Sequence, residues 1–179
     1  DSVATGAAPV VSDAAAEAAM RTLLSTAAGV GRGGAGGTVI EALPEVTDGV
    51  ATARFRFDRT LATDHTGVTS GSLPTSLIAS DGVPDALVGA AWPAVFAVLG
   101  SARRPRGNGT VAEGTVVEGL LDLVHLDHGI RMHSALPDEA ADLVVVARSG
   151  GVRDTDLGRV VEVSVEVSTE DTEGTRAPL

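Results

Sequence analysis

The chain has 179 residues, a formal net charge of −11 at pH 7 and no cysteine. The lack of cysteine excludes disulfides, thiolate metal sites and cysteine nucleophiles. The negative charge argues against nucleic acid or an anionic membrane surface as a partner, because both require a cationic face. The length suits one ordinary domain or two very small ones, and it is sufficient for a real core. That core must be aliphatic, since only three Phe, one Trp and no Tyr are present.

The N-terminal part is rich in alanine and glycine. A helix is predicted over 12–26, because Ser12 or Asp13 can cap its start and alanine favours the helical backbone. The glycine run at 29–37 lacks the Lys-Ser/Thr end of a phosphate-binding loop, so we expect a linker. The predicted segments are an Ala/Gly-rich helix and linker at 1–37, a folded domain at 38–168 and a polar, frayed tail at 169–179.

The middle of the chain predicts a hairpin followed by a buried helix. Strand-like runs at 38–43 and 50–57 flank Asp48-Gly49, a common hairpin turn pair. The run 85–99 is apolar nearly all round, which indicates a helix enclosed by other elements. Pro93 is expected either to kink this helix or to start a second helical piece. Because the run is shorter than the roughly 20 residues of a membrane span, we predict a core segment.

The last third predicts two valine-rich strands, at 143–148 and 159–167. The second strand alternates valine with polar residues, so one of its faces should be buried and the other wet. The order strand, strand, buried helix, strands favours an α+β fold in which an antiparallel sheet wraps around one central helix.

A segment at 119–132 carries the candidate chemistry, because it places two of the four histidines among aliphatic residues. If 124–132 is a strand, His125 and Asp127 share one face and His128 lies on the other. His125 and Asp127 could then act as a general acid/base pair. A metal site needs three or more converging ligands, which this alternation does not supply. Structural hydrogen bonds and a substrate or domain contact are the alternatives, and His65 is predicted to be solvent-exposed.

Three blocks of this sequence, "WPAVF", "VEGLLDLVHLDHGIRM" and "DTDLGRVVEVSV", resemble the dehydratase region of the type I fatty acid synthases of actinobacteria and, more distantly, of fungi. The resemblance implies several hot-dog folds in series, of which only the last is catalytic. The catalytic motifs of that region, similar to Asp-x-x-Pro-Ile-His and Thr-His-Gly-Met, do not occur in this chain. The resemblance therefore implies a non-catalytic, hot-dog-like segment, with His125 and Asp127 as weak catalytic candidates.

By the same resemblance, the parent enzyme is cytoplasmic and homo-oligomeric, and it removes water from 3-hydroxyacyl chains held on acyl carrier protein. The segment would contact the rest of the synthase chain and the carrier-bound acyl chains. Its implied acyl-binding or packing residues are Trp92, Phe96, Leu123 and Leu126. No cofactor or metal is implied for the segment, whereas the parent's reductase steps would use FMN and NADPH. Because the chain begins with Asp1 rather than Met, we expect it to be part of a longer protein.

Two other functions stay open at the level of sequence. The first is a self-contained hot-dog hydratase, dehydratase or thioesterase that uses His125 and Asp127. The second is a pure interaction or scaffold module without any acyl contact. Whether the isolated chain is an enzyme is therefore not decided by its sequence.

Overall fold

The computed structural model describes residues 13–31, 41–60, 65, 84–101, 103–105, 111–115 and 124–179. The fold class is α+β, as predicted. Within the described ranges a short 3₁₀ turn at Pro84–Leu87 leads directly into the second helix. The helices and strands, in chain order, are α1 (Asp13–Ala27), β1 (Val46–Thr47), β2 (Val50–Phe57), α2 (Val88–Ser101), β3 (Arg103–Pro105), β4 (Val111–Thr115), β5 (Ala141–Thr155), β6 (Gly158–Glu170) and β7 (Arg176–Pro178).

The main sheet of the described chain is open and antiparallel, with five strands in the order β1-β2-β5-β6-β7. Strand β2 pairs with β5 along its whole length, from Val50 opposite Arg148 to Phe57 opposite Ala141. Strands β3 and β4 form a separate two-stranded sheet. The central position of β5 means that both of its edges are hydrogen-bonded over the stretch that pairs with β2.

The predicted turn at Asp48-Gly49 is confirmed. Both residues have positive φ, 52° and 74°, as a two-residue type I′ hairpin turn requires. The strand before the turn is Val46–Thr47 rather than the predicted 38–43, because a two-residue turn pairs the residues directly beside it, with Thr47 opposite Val50. Residues 41–43 are irregular, and 38–40 lie outside the described residues.

The predicted apolar helix is confirmed as the 3₁₀ turn followed by α2. Pro93 lies inside α2 and is buried, and the helix continues through it as one element. By length and composition alone, the stretch Pro84–Ser101, with a mean hydropathy of 1.3, could also cross a membrane. In the structure it covers one face of the sheet, where Ala94, Ala97 and Val98 contact a core cluster.

The core lies between α2 and the sheet. Small side chains let the helix approach β2 and β5 closely, since Ala51, Val145 and Ala147 meet the alanines of α2 with almost no exposed surface. A second cluster surrounds Phe57 and Leu143 at the other end of the same face, next to the 3₁₀ turn. Alternate residues of β2 face the helix, so this strand is buried on one face and exposed on the other.

The hairpin of β5 and β6 is longer than predicted. Its strands have 15 and 13 residues, and β5 continues through the glycine pair at 150–151 with a register shift between Ser149 and Gly151. The valine alternation of β6 holds, because Val163 and Val167 contact the core, although Val165 is 38% exposed.

The C-terminal residues form part of the sheet, in contrast to the frayed tail that we predicted. Strand β7 pairs with β6, and the terminal Leu179 is only 8% exposed. The Leu179 N–H donates to the Val167 carbonyl at 3.0 Å, and its own carbonyl accepts from the His133 N–H at 2.9 Å. These backbone bonds and the burial of one leucine outweigh the polar composition of the tail.

Candidate functional site

The segment 124–130, called here the apolar segment, is irregular and exposed. The prediction of a strand over 124–132 is therefore wrong. Two-fold alternation of side chains holds only for an extended, paired strand, and no strand of the described sheets pairs with this segment. Consequently His125 and His128 are not forced onto opposite faces.

Four rings lie in a continuous row, called here the aromatic row (Phe96, Trp92, His125 and His128). Trp92 stacks on Phe96, one helical turn away, with a centroid distance of 5.0 Å. His125 meets Trp92 edge-on at 6.1 Å and stacks on His128 at 5.2 Å. The structure thus brings a catalytic candidate, His125, next to two of the predicted acyl-binding or packing residues, Trp92 and Phe96, both half-buried.

At the His128 end of the aromatic row lies the carboxylate of Asp85, which was not predicted to be part of the site. The Nε2–H of His128 donates to Oδ1 of Asp85 at 3.0 Å, and Nε2 of His65 lies 3.8 Å from Oδ2 of the same carboxylate. These three residues form the Asp85 cluster (His65, Asp85 and His128). His65 was predicted to be solvent-exposed, but its side chain is only 27% exposed, because it lies beside the start of the apolar helix.

The predicted pairing of His125 with Asp127 is not seen in the described part of the chain. Asp127 is exposed, and no described hydrogen bond or ion pair joins it to His125. The imidazole that a carboxylate orients is His128, and its partner Asp85 is 43 residues away in sequence. One signal in the sequence could have indicated Asp85, since it is the single charged residue in 85–101 and lies in the first turn of a helix, where the dipole favours an anion.

The predicted residue Leu126 lies on the apolar segment and is 73% exposed. Val124 and Ile130 of the same segment are 71% and 46% exposed, so this part of the chain presents apolar surface to its surroundings. Because Leu126 directly follows His125, whose ring touches Trp92, this surface adjoins the aromatic row. The fourth predicted residue, Leu123, lies outside the described residues.

The arrangement places an imidazole, held by a carboxylate, beside apolar side chains. A carboxylate that holds an imidazole fixes its tautomer and orientation, as in general acid/base pairs. Among the residues that the structure describes, no three His, Asp or Glu side chains are arranged to hold a metal ion.

Glu170 is an ion-paired acid with a clearly shifted pKa. It lies on the face of the sheet that points away from α2, and not in the Asp85 cluster. There the hydrogen bond from Arg54 holds the pKa of Glu170 below its ordinary value, and Arg176 adds to this effect. These charges therefore belong to the sheet and are separate from the Asp85 cluster.

A scan against protein-family models and a search of curated proteins give no match for this chain.

Proposed function

We propose that this chain is a non-catalytic, hot-dog-like segment of the 3-hydroxyacyl-[acyl-carrier-protein] dehydratase region of a type I fatty acid synthase, and that it supports cytoplasmic fatty acid synthesis. The resemblance of the three sequence blocks supports this proposal. The packing of α2 on one face of an antiparallel sheet is compatible with it, since a hot-dog fold wraps such a sheet around one helix.

The observation that carries the acyl-related part of the proposal is the apolar surface formed by the Trp92–Phe96 stack and the apolar segment. Exposed apolar side chains gain free energy when an apolar partner covers them, by about 25 cal/mol for each Å² removed from water. Contiguous apolar surface of this kind marks binding grooves and interfaces. In the proposed setting, the cover is a carrier-bound acyl chain or the neighbouring hot-dog unit.

The remaining parts of the proposal follow from the same resemblance. The partners are the rest of the synthase chain and acyl chains on the carrier protein, in a homo-oligomeric parent. This segment uses no cofactor of its own, while FMN and NADPH serve the reductase steps elsewhere in the parent.

Trp92 provides a direct test, because it is the single tryptophan and the chain has no tyrosine. Titration with a medium-chain acyl-pantetheine thioester should produce a saturable change in the Trp92 emission. Replacing Phe96 with alanine should weaken the binding about tenfold, since the ring contributes apolar contact worth roughly 1.4 kcal/mol.

The matched control is Leu157→Ser, at the tip of the β5–β6 hairpin. Leu157 is 97% exposed, and this variant should bind like the unmodified chain. A flat titration of the unmodified chain would argue against acyl binding.

A second candidate function is a self-contained hydratase, dehydratase or thioesterase, which the hydrogen bond between His128 and Asp85 favours. The test is turnover of a crotonyl or 3-hydroxyacyl thioester by the chain, repeated with His125→Ala and His128→Ala. We expect no turnover. Turnover that His128→Ala abolishes would replace the non-catalytic assignment with an enzymatic one.

A further inference from the structure

We infer that Asp85 is a positioning residue, which holds the apolar segment against the start of α2 and so sets the surface around Trp92. This inference rests on the proposed function, because the surface that Asp85 positions is the proposed acyl surface. It assigns Asp85 and His128 a role that is distinct from proton transfer.

The apolar segment depends on side-chain contacts for its position, since it contains no helix or strand. Its described contacts with the helical part of the molecule are the His128–Asp85 hydrogen bond at 3.0 Å and the edge of His125 against Trp92. Among the described residues, the segment meets the sheet just beyond its end. There Met132 packs against the cluster of Phe57 and Leu143, the His133 N–H donates to the Leu179 carbonyl, and the Ser134 hydroxyl donates to the Pro178 carbonyl.

Asp85 is well suited to hold the segment because its own position is fixed. The next two residues, Ala86 and Leu87, are buried in the core beside Phe57, so the carboxylate extends from a rigid element. Its second oxygen lies 3.8 Å from His65. One carboxylate therefore meets histidines from 20 residues before it and 43 residues after it in the sequence.

The position of His128 also determines the position of His125, because their rings stack, and His125 in turn contacts Trp92. With the ring centroids 5.2 Å apart, a displacement of His128 moves His125 away from Trp92 and carries Leu126 with it. The affinity of the surface for an apolar ligand should then fall, because a disordered segment must be ordered again at the moment of binding.

The experiment combines acyl-pantetheine titration with the Trp92 emission of the ligand-free chain. Asp85→Ala and His128→Ala should each weaken binding about fivefold, as the loss of one half-exposed hydrogen bond of ordinary net strength predicts. Both should change the ligand-free emission in the same way, since the ring beside Trp92 moves. The double variant should lose clearly less than the sum of the two single losses, because both single changes remove the hydrogen bond between His128 and Asp85.

Two further variants distinguish a positioning role from a general loss of stability. Asp85→Asn keeps an acceptor for the His128 N–H and should retain most of the affinity. Asp127→Ala removes a carboxylate one residue from His128 that makes no described contact, and it should behave like the unmodified chain. If Asp85→Ala does not fold, His128→Ala decides the question, because His128 is 47% exposed on an irregular segment.

The possible failures are distinguishable. Folded variants with unchanged emission and unchanged affinity would overturn the positioning role while leaving acyl binding intact, and so would additive losses in the double variant. If the unmodified chain binds no acyl thioester but Asp85→Ala and His128→Ala change the Trp92 emission alike, the positioning role stands and the proposed function fails.

Discussion

Two aliphatic stretches of this chain differ in burial. Residues 143–147 of β5 are buried on both faces, with Leu143, Val144 and Val145 showing no exposed surface, whereas Leu126 of the apolar segment is 73% exposed. The difference does not arise from apolar content, since both stretches are rich in leucine or valine. It arises from the neighbours, because β5 has a strand on each side and a helix across one face.

Backbone pairing is what allows the aliphatic run of β5 to be buried. The N–H and C=O groups of β5 are satisfied by β2 and β6, so its side chains can leave water without stranding polar groups. The apolar segment has histidines and an aspartate among its apolar residues, and no strand of the described ranges pairs with it. It lies exposed and is held by side-chain contacts.

Replacing one leucine by alanine in each stretch should change the free energy of unfolding by very different amounts. Leu143→Ala should lower the free energy of unfolding by about 2–5 kcal/mol, because it leaves a cavity in a closed core. Leu126→Ala should stay within about 0.5 kcal/mol of the unmodified chain, as exposed substitutions do. Urea denaturation followed by far-UV circular dichroism measures both values. Equal losses would show that the apolar segment is as well packed as β5.

Two glycines, one in α2 and one in the apolar segment, test how tightly each region is packed. A Cβ at Gly100 of α2 would lie 2.9 Å from Cδ1 of Leu24, the buried leucine of α1, whereas a Cβ at Gly129 would meet nothing within 4 Å. Gly100→Val should therefore cost about 1–3 kcal/mol through overpacking.

Gly129→Val should cost no more than about 0.5 kcal/mol. Adding Leu24→Ala to Gly100→Val should relieve part of the loss, and a double-mutant cycle of unfolding free energies measures this coupling. Strict additivity of the two changes would contradict the proposed contact between α1 and α2.

An ion pair on the sheet face opposite α2 should make a small contribution to stability. The ion pair of Arg54 with Glu170 crosses β5 beside Val144, and it lowers the pKa of Glu170 below its ordinary value of 4.5. A carboxylate with a lowered pKa in the folded state adds stability above its ordinary pKa and loses it as the pH falls through the folded-state value.

Glu170→Gln should therefore lower the urea midpoint at pH 7, and the gap to the unmodified chain should narrow as the pH falls below 4.5. Glu166→Gln is the control, because Glu166 lies on the same strand without an ion pair in the described structure, and it should hardly change the midpoint at pH 7. A gap that widens in acid would contradict the role assigned to the ion pair.

Much of the fold could be predicted from local patterns. Asp48-Gly49 predicted its turn because two adjacent residues that tolerate positive φ are rare outside hairpins. The uniform apolar character of 85–99 predicted a buried helix. The predicted C-terminal tail failed because its polar composition concealed a short strand, β7, whose stability comes from pairing with β6 and from burial of Leu179.

The candidate site was harder to predict than the fold. His125, Trp92 and Phe96 were identified from the sequence, and the structure brings their rings together. Asp85 was missed because its contact with His128 spans 43 residues. The assumed strand alternation also separated His125 from His128, which in fact stack.

Local sequence was enough to predict an aliphatic core, a tight hairpin turn, a buried helix and the alternation of β6, since each depends on residues close together in the chain. Three outcomes depended on tertiary structure: which aliphatic run is covered, the addition of β7 to the sheet, and the hydrogen bond of a histidine to Asp85 rather than to Asp127. These outcomes depend on which distant segments become neighbours, and burial and hydrogen bonding are settled by neighbours in space.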